Sequence, residues 1–153
     1  MKTVAGIDLG TQSMKVVIYD YEKKEIIEKA SCPMELISKA DGTREQKAEW
    51  FDNGLDVCFG KLSAANKKTI EAIGVSGQQH GFVPLGKNGK ALYNIKLWCD
   101  TSTAKQCEKI TKAAGGDKNV VKLLGNLMLP GFTAPKILWL KENKPAAFEK
   151  LAY

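Results

Sequence analysis

Gly6-Ile7-Asp8-Leu9-Gly10-Thr11-Gln12-Ser13-Met14-Lys15 is the stretch whose reading decides the fold. An apolar strand ends in an acid, a Gly-Thr turn follows, and the second strand carries a lysine near its start. Such a turn can present backbone N–H groups and a threonine hydroxyl to phosphate oxygens. Asp8 can hold Mg²⁺ through water, and Lys15 can add a point charge. Two readings stand on these residues alone: an ordinary hairpin with an Asp in its turn, or a phosphate-binding one. A P-loop is excluded, because no Gly-x-x-x-x-Gly-Lys-[Ser/Thr] run exists.

Outward from the hairpin, apolar spacing predicts strands over Thr3 to Gly10, Lys15 to Asp20 and Glu25 to Ser31. The turns between them are short, so the three should form an antiparallel meander. Cys32 to Lys47 is polar and contains Pro33 and Asp41-Gly42, which predicts a loop. Trp50, Leu55, Phe59 and Leu62 recur at helical spacing within Ala48 to Asn66. Ile70 to Ser76 reads as a buried strand. Phe82 to Leu85 and Ala91 to Trp98 are extended runs, joined through the Asn88-Gly89 hairpin step. Helices are expected near Ser102 to Ala114, Lys118 to Leu124 and Ala134 to Glu142, the last with Pro135 in its first turn. Pro130 interrupts the pattern, and Pro145 can start a further short helix. The order β-β-β-α-β, with an acid and a Gly-Thr turn between the first two strands, is the opening of an α/β, ribonuclease-H-like domain. That is the actin/hexokinase type, with a mixed sheet flanked by helices.

Composition narrows the classes. At 153 residues and 44% hydrophobic content the chain can build one domain with a core. Apolar runs fall far short of a membrane span, and Lys2-Thr3-Val4 does not open a signal peptide. A soluble, cytoplasmic chain with no membrane partner is expected. The formal charge is +6, but Arg44 is the sole arginine and the lysines alternate with glutamates, as in Glu22-Lys23-Lys24-Glu25. That is a solvated face, so no nucleic-acid partner is expected. Four cysteines without a Cys-x-x-Cys pair, and a single histidine, argue against zinc or a disulfide framework.

Three downstream segments carry chemistry. Gly77-Gln78-Gln79-His80-Gly81 ends a strand, where ligand sites of α/β sheets collect. Its glycines let backbone approach a ligand, and its amides and imidazole suit sugar hydroxyls. The alternative is a polar loop with a satisfied histidine. Trp98-Cys99-Asp100 can hold a sugar between an indole and a carboxylate, or supply a core tryptophan and a helix-capping Asp100. The run from Asn126 to Asn143, with a turn at Pro130-Gly131, can be scaffold. There Ile137, Trp139 and Leu140 read as core, and Lys136 as a surface charge.

Taken together and in this order, the four segments resemble the FGGY carbohydrate kinase family, which includes glycerol, gluconate, ribulose and xylulose kinases. Gly6–Thr11 resembles the family's first phosphate hairpin. Gly77–Gly81 resembles its Gly-Gln-Met-His-Gly sugar loop. Asn126–Lys136 matches a run found in xylulose kinases, and Gly131-x-Thr-x-x-Lys136-Ile-x-Trp139-Leu-x-Glu142-Asn143 resembles the family signature. The resemblance implies ATP and Mg²⁺ as cofactors and a small sugar, D-xylulose best, as partner. Asp8 would act on Mg²⁺ through water, and Gly10, Thr11, Gln12, Ser13 and Lys15 would lie at phosphate. Gln78, Gln79, His80, Gly81, Trp98 and Asp100 would hold the sugar. The reaction implied is transfer of the ATP γ-phosphoryl group to a sugar hydroxyl, the 5-hydroxyl for xylulose.

Gln79 replaces the family's usual Met, and Cys99-Asp100-Thr101 departs from its usual pattern, so the sugar is less fixed than the kinase class. A kinase of another polyol or sugar acid is the nearest alternative. A non-catalytic ribonuclease-H-like interaction module is the more distant one. Residues 1–153 resemble the front part of the family's amino-terminal domain. The catalytic base and the adenosine-binding carboxy-terminal lobe are expected outside them, so this chain alone should not turn over. A homodimer is compatible with the sequence.

Overall fold

The computed structural model describes residues 2–153. Along the chain run β1 (Thr3–Leu9), β2 (Ser13–Asp20), β3 (Glu25–Pro33), β4 (Ile37–Ser38), β5 (Arg44–Gln46), α1 (Ala48–Lys61), α2 (Ala64–Lys67) and β6 (Ile70–Gly77). β7 (Ile95–Lys96), α3 (Ala104–Ala113), α4 (Asp117–Leu124), α5 (Thr133–Asn143) and α6 (Pro145–Phe148) follow. They form two compact units. One holds the chain up to Leu36 together with Ala48–Gln78, and the other holds Ile37–Lys47 and Gln79–Tyr153.

The first unit is built on a four-stranded sheet in the order β3-β2-β1-β6. β1, β2 and β3 form the expected antiparallel meander, and β6 joins β1 in parallel. Alternation decides the faces. Ala5 and Ile7 of β1, Met14, Val16 and Ile18 of β2 and Ala30 of β3 are buried. Five of these, Ala5 excepted, form one core with Cys58 and Leu62, and Phe51, Leu55 and Phe59 of α1 pack against it. The crossover from β3 through α1 to β6 completes the start of a ribonuclease-H-like α/β domain.

β6 departs from expectation. Its apolar sequence reads as a buried strand, yet Ile73 is 57% and Val75 64% exposed. β6 is the edge of this sheet, with β1 as its neighbour. Hydropathy reports that a strand can be buried, whereas burial needs an element packed on it.

The second unit contains a three-stranded antiparallel sheet in the order β4-β5-β7. The stretch expected to be a loop, Cys32 to Lys47, therefore holds the β4–β5 hairpin. Asp41 shapes its turn by accepting the Thr43 N–H at 2.9 Å. Its strands escaped notice because Glu45 and Gln46, both buried, carry no apolar pattern. The Asn88-Gly89 turn forms as expected, with the Gly86 N–H donating to the Lys90 carbonyl at 3.0 Å. The flanking runs are less regular than expected, and β7 is only two residues long. Cys107, Val120 and Met128 form a small core between α3, α4 and the segment that follows.

The four cysteines are free. Burial pushes the Cys58 and Cys107 thiols up. Among the described residues no helix is long and apolar enough to cross a membrane.

The burial difference between the two strands can be measured in the 153-residue chain. Ile18, fully buried, should cost about 2–5 kcal/mol of unfolding free energy when changed to Ala. Ile73→Ala should cost less than about 0.5 kcal/mol. Urea unfolding midpoints compare them, and equal losses would show that the outer face of β6 is covered in solution.

Candidate functional site

Each unit carries part of the predicted site. In the first, register places Asp8 of β1 opposite Lys15 of β2. Lys15 Nζ lies 3.5 Å from Asp8 Oδ2, and both side chains are more than half exposed, at 59% and 51%. An open groove of about 500 Å³ runs beside them, lined also by Gly6, Val17, Val75 and Ser76. A carboxylate and an ammonium thus meet at one solvent-facing end of the sheet.

The turn between these strands is tightly closed. The Gly10 N–H donates to the Ser13 carbonyl at 3.1 Å, and the Met34 N–H donates to the Gln12 carbonyl at 2.9 Å. A Cβ at Gly10 would lie 2.6 Å from the Ser13 oxygen, so only glycine fits. The Thr11 hydroxyl donates to Gln78 Oε1 at 2.7 Å. Two expectations change here. The Gly10 amide and the Thr11 proton are directed at the protein, and Gln78 anchors the turn. Gln12 remains exposed and Ser13 half-buried.

In the second unit, His80 adopts φ +57, a left-handed conformation that side chains with a Cβ rarely take. Its imidazole stacks at a tilt on Phe132, with centroids 4.8 Å apart. Its carbonyl accepts Lys136 Nζ at 2.6 Å and the Thr133 hydroxyl at 3.4 Å. A cavity of about 350 Å³ opens beside it, walled by Leu124, Leu127, Met128 and Phe132, with Asn126 as a polar member. Gln79 is exposed and Gly81 half-buried. Trp98 is 53% exposed. Its carbonyl oxygen lies 2.7 Å from where a Cβ on Gly131 would sit, so glycine allows the Pro130-Gly131 turn to touch the Trp98 segment.

Asp100 is corrected. Its carboxylate is fully buried, and its two oxygens accept four bonds. Oδ2 takes the Arg44 N–H at 2.8 Å and Lys96 Nζ at 3.1 Å. Oδ1 takes the Ser102 N–H at 3.1 Å and the Ser102 hydroxyl at 2.7 Å. These partners fill the lone-pair positions of a carboxylate, so Asp100 shapes the loop after Trp98 and has no acceptor left for a sugar.

The same region holds residues the sequence reading passed over. Lys96 Nζ donates to Glu45 Oε1 at 2.9 Å and sits 4.0 Å from the centre of the Trp139 ring. Asn94 Nδ2 donates to Glu45 Oε2 at 3.0 Å. Lys136, read from the sequence as a surface charge, is wholly buried and donates to the Gly131 carbonyl at 2.6 Å as well as to His80. Burial pulls its amine down to about 8, while Asp100 opposes that shift. Tyr93 is pushed up to about 12, by burial first and then by Glu45. The available hints were Lys96 inside the apolar run Ile95-Lys96-Leu97 and Lys136 inside the signature-like run.

Residues 3–153 match the FGGY family of carbohydrate kinases, N-terminal domain. The xylulose kinase of Haemophilus influenzae is 36% identical over 153 residues, covering 95% of this chain and 31% of that protein. The ligand-bound xylulose kinase of Lactobacillus acidophilus superposes with a TM-score of 0.81 at 27% identity, over 99% of this chain and 30% of that one. Plasmodium falciparum glycerol kinase with ADP gives a TM-score of 0.87 at 27% identity, over 98% and 30%. The chain thus spans about three-tenths of the length of the relatives it matches.

Two outcomes test the buried charges. Lys96→Met strands Glu45 and Asp100 without their cation and should cost about 3–5 kcal/mol in urea unfolding, against less than about 1 kcal/mol for exposed Lys15→Met. A loss at Lys96 no larger than at Lys15 would show that the buried pair is not closed in solution. Lys136 is charged in both states below pH 8. Between about 8 and its ordinary 10.5, the folded chain releases its proton first. Stability should therefore rise with pH across that window relative to Lys136→Met. Parallel pH profiles would contradict the lowered amine.

Proposed function

The chain belongs to the FGGY family of carbohydrate kinases, and from that premise we propose that it is the front part of an ATP-dependent sugar kinase whose acceptor is D-xylulose. The observation that carries the proposal is the His80 loop. The His80 backbone, in the left-handed region, is held beside a cavity by two donors from α5 to its carbonyl, within the segment whose sequence resembles the family's sugar loop. The relatives named xylulose kinase favour xylulose as the acceptor.

In this reading His80 and Gln79 bond the sugar hydroxyls, and the half-exposed Trp98 indole lies along the C–H face of the sugar. Lys15 meets the charge of the transferring phosphoryl group, with Gln12 and Ser13 flanking it. Asp8 is a hard oxygen donor at an exposed strand end, which fits a Mg²⁺ that keeps most of its waters. Asp8 would thereby hold a cation that supplies positive charge against the charge developing on the phosphoryl group. In the second unit Asp100 has no acceptor left for the hydroxyl proton, and in the first Asp8 is paired with Lys15. We assign the catalytic base and the adenosine site to chain outside these residues. The exposed Gln79 amide, where the family usually has Met, keeps a second reading in play: a kinase of another polyol or sugar acid.

An acceptor panel in the longest native chain that carries these residues decides between them. Coupled ADP release should give the highest kcat/KM with D-xylulose among D-xylulose, D-ribulose, glycerol and D-gluconate. Preference for another acceptor selects the second reading, and no release with any acceptor overturns the kinase assignment. His80→Ala should raise KM for the preferred sugar about five- to hundred-fold, the equivalent of one or two well-placed bonds. KM for ATP should stay within about two-fold, and a matching rise in both would remove His80 from the sugar pocket.

A further inference from the structure

Lys136 is the buried cation that the proposed chemistry leaves unused. It lies in the first turn of α5, with no exposed surface, and its ammonium reaches two carbonyls at 2.6 Å, those of His80 and Gly131. Burying an ammonium is costly, and an apolar side chain of similar length would fill the space without that cost. What only a cation offers here is several strong donors on one atom. Each carbonyl it holds belongs to a constrained backbone. His80 sits at φ +57, and Gly131 approaches the Trp98 carbonyl so closely that a Cβ would come within 2.7 Å. One ammonium thus ties the loop bearing His80 to the turn that contacts the Trp98 segment. Thr133, one turn earlier on the same helix, adds a longer bond to the His80 carbonyl at 3.4 Å.

We propose that Lys136 is a positioning residue for the sugar site: without touching the sugar, it pins the His80 and Gly131 carbonyls and so aims the His80 imidazole. The aiming of the ring follows from the structure alone, while the consequence for sugar binding rests on the function proposed above. With its carbonyl released, His80 has nothing of comparable strength to hold it in the left-handed region. It would relax, and its ring would leave Phe132.

His80 is the sole histidine of the chain, so its ring reports directly. In the 153-residue chain, the imidazole Hδ2 and Hε1 signals should be displaced by the Phe132 ring. In Lys136→Met they should move to the positions of a freely exposed histidine, while the methyl signals of the first unit, Val16 and Ile18 among them, stay in place. Lys136→Gln retains one amide donor at the site and should give an intermediate displacement. It also serves if the Met variant does not fold. Unmoved imidazole signals in a folded variant overturn the pin. In the longest native chain, Lys136→Met should raise KM for D-xylulose at least about ten-fold and leave KM for ATP within about two-fold. Moved imidazole signals with an unchanged sugar KM would overturn the positioning role. If the unmodified protein uses no sugar, the function proposed above fails, and the imidazole signals still decide whether Lys136 holds His80.

Discussion

A buried lysine must find acceptors, and much of the second unit is arranged by that constraint. Lys96 and Lys136 have essentially no exposed surface. Lys96 answers with Glu45, Asp100 and the face of Trp139. Those contacts join β5 to β7, and β7 to the loop after Trp98 and to α5. Lys136 answers with backbone carbonyls and thereby joins α5 to the His80 loop and the Gly131 turn. In each case the ion selects a geometry more than it adds stability. Buried pairs roughly offset their own desolvation, whereas an unpartnered ion is strongly penalised. Any alternative packing that leaves one of these ammonium groups unbonded is therefore disfavoured.

The first unit is held differently. Its cohesion comes from apolar alternation on β1, β2 and β3 against α1, a non-directional force that tolerates small changes of shape. Its polar residues can then lie at the solvent-facing end, where Asp8 and Lys15 meet across the register of two strands. Between them the turn is rigid for a local reason: Gly10 permits backbone closure, and the Thr11–Gln78 bond ties the turn to the end of β6. Here the scaffold is apolar and the charges are displayed. In the second unit charges serve as scaffold, and the ring of His80 and the indole of Trp98 are displayed.

This contrast explains what could be read from the sequence. The meander, α1 and the long helices α3, α4 and α5 were legible because period-two and period-3.6 apolar patterns report packed faces. That Asp8 and Lys15 lie on the two strands of one hairpin was legible because the turn between them is short; their contact is a finding of the structure. The β4–β5 hairpin was not legible, because Glu45 occupies a buried position that sequence reading reserves for an apolar side chain. Lys136 is misplaced for the same reason, and the burial of Asp100 is hidden by it too. Hydropathy assigns charge to the surface, and only a partner distant in sequence, such as Arg44 or His80, reveals that the charge is inside. β6 failed in the opposite direction, since an apolar pattern cannot report whether another element packs on it.

The balance of the buried ions decides what the second unit presents to solvent. Glu45 and Asp100 supply two negative charges; Lys96 contacts both, and Lys136 lies within the electrostatic reach of Asp100 and Lys96. At neutral pH Lys136 is mostly protonated, with its amine near 8. The cluster is therefore close to neutral, and opposite charges held this tightly cancel most of each other's field beyond a few ångströms. The carboxylate of Asp100, filled by protein donors, is spent inside the fold. What the second unit displays instead is the exposed Gln79 amide, the His80 imidazole and the half-exposed Trp98 indole, which offer hydrogen-bonding groups and an aromatic face.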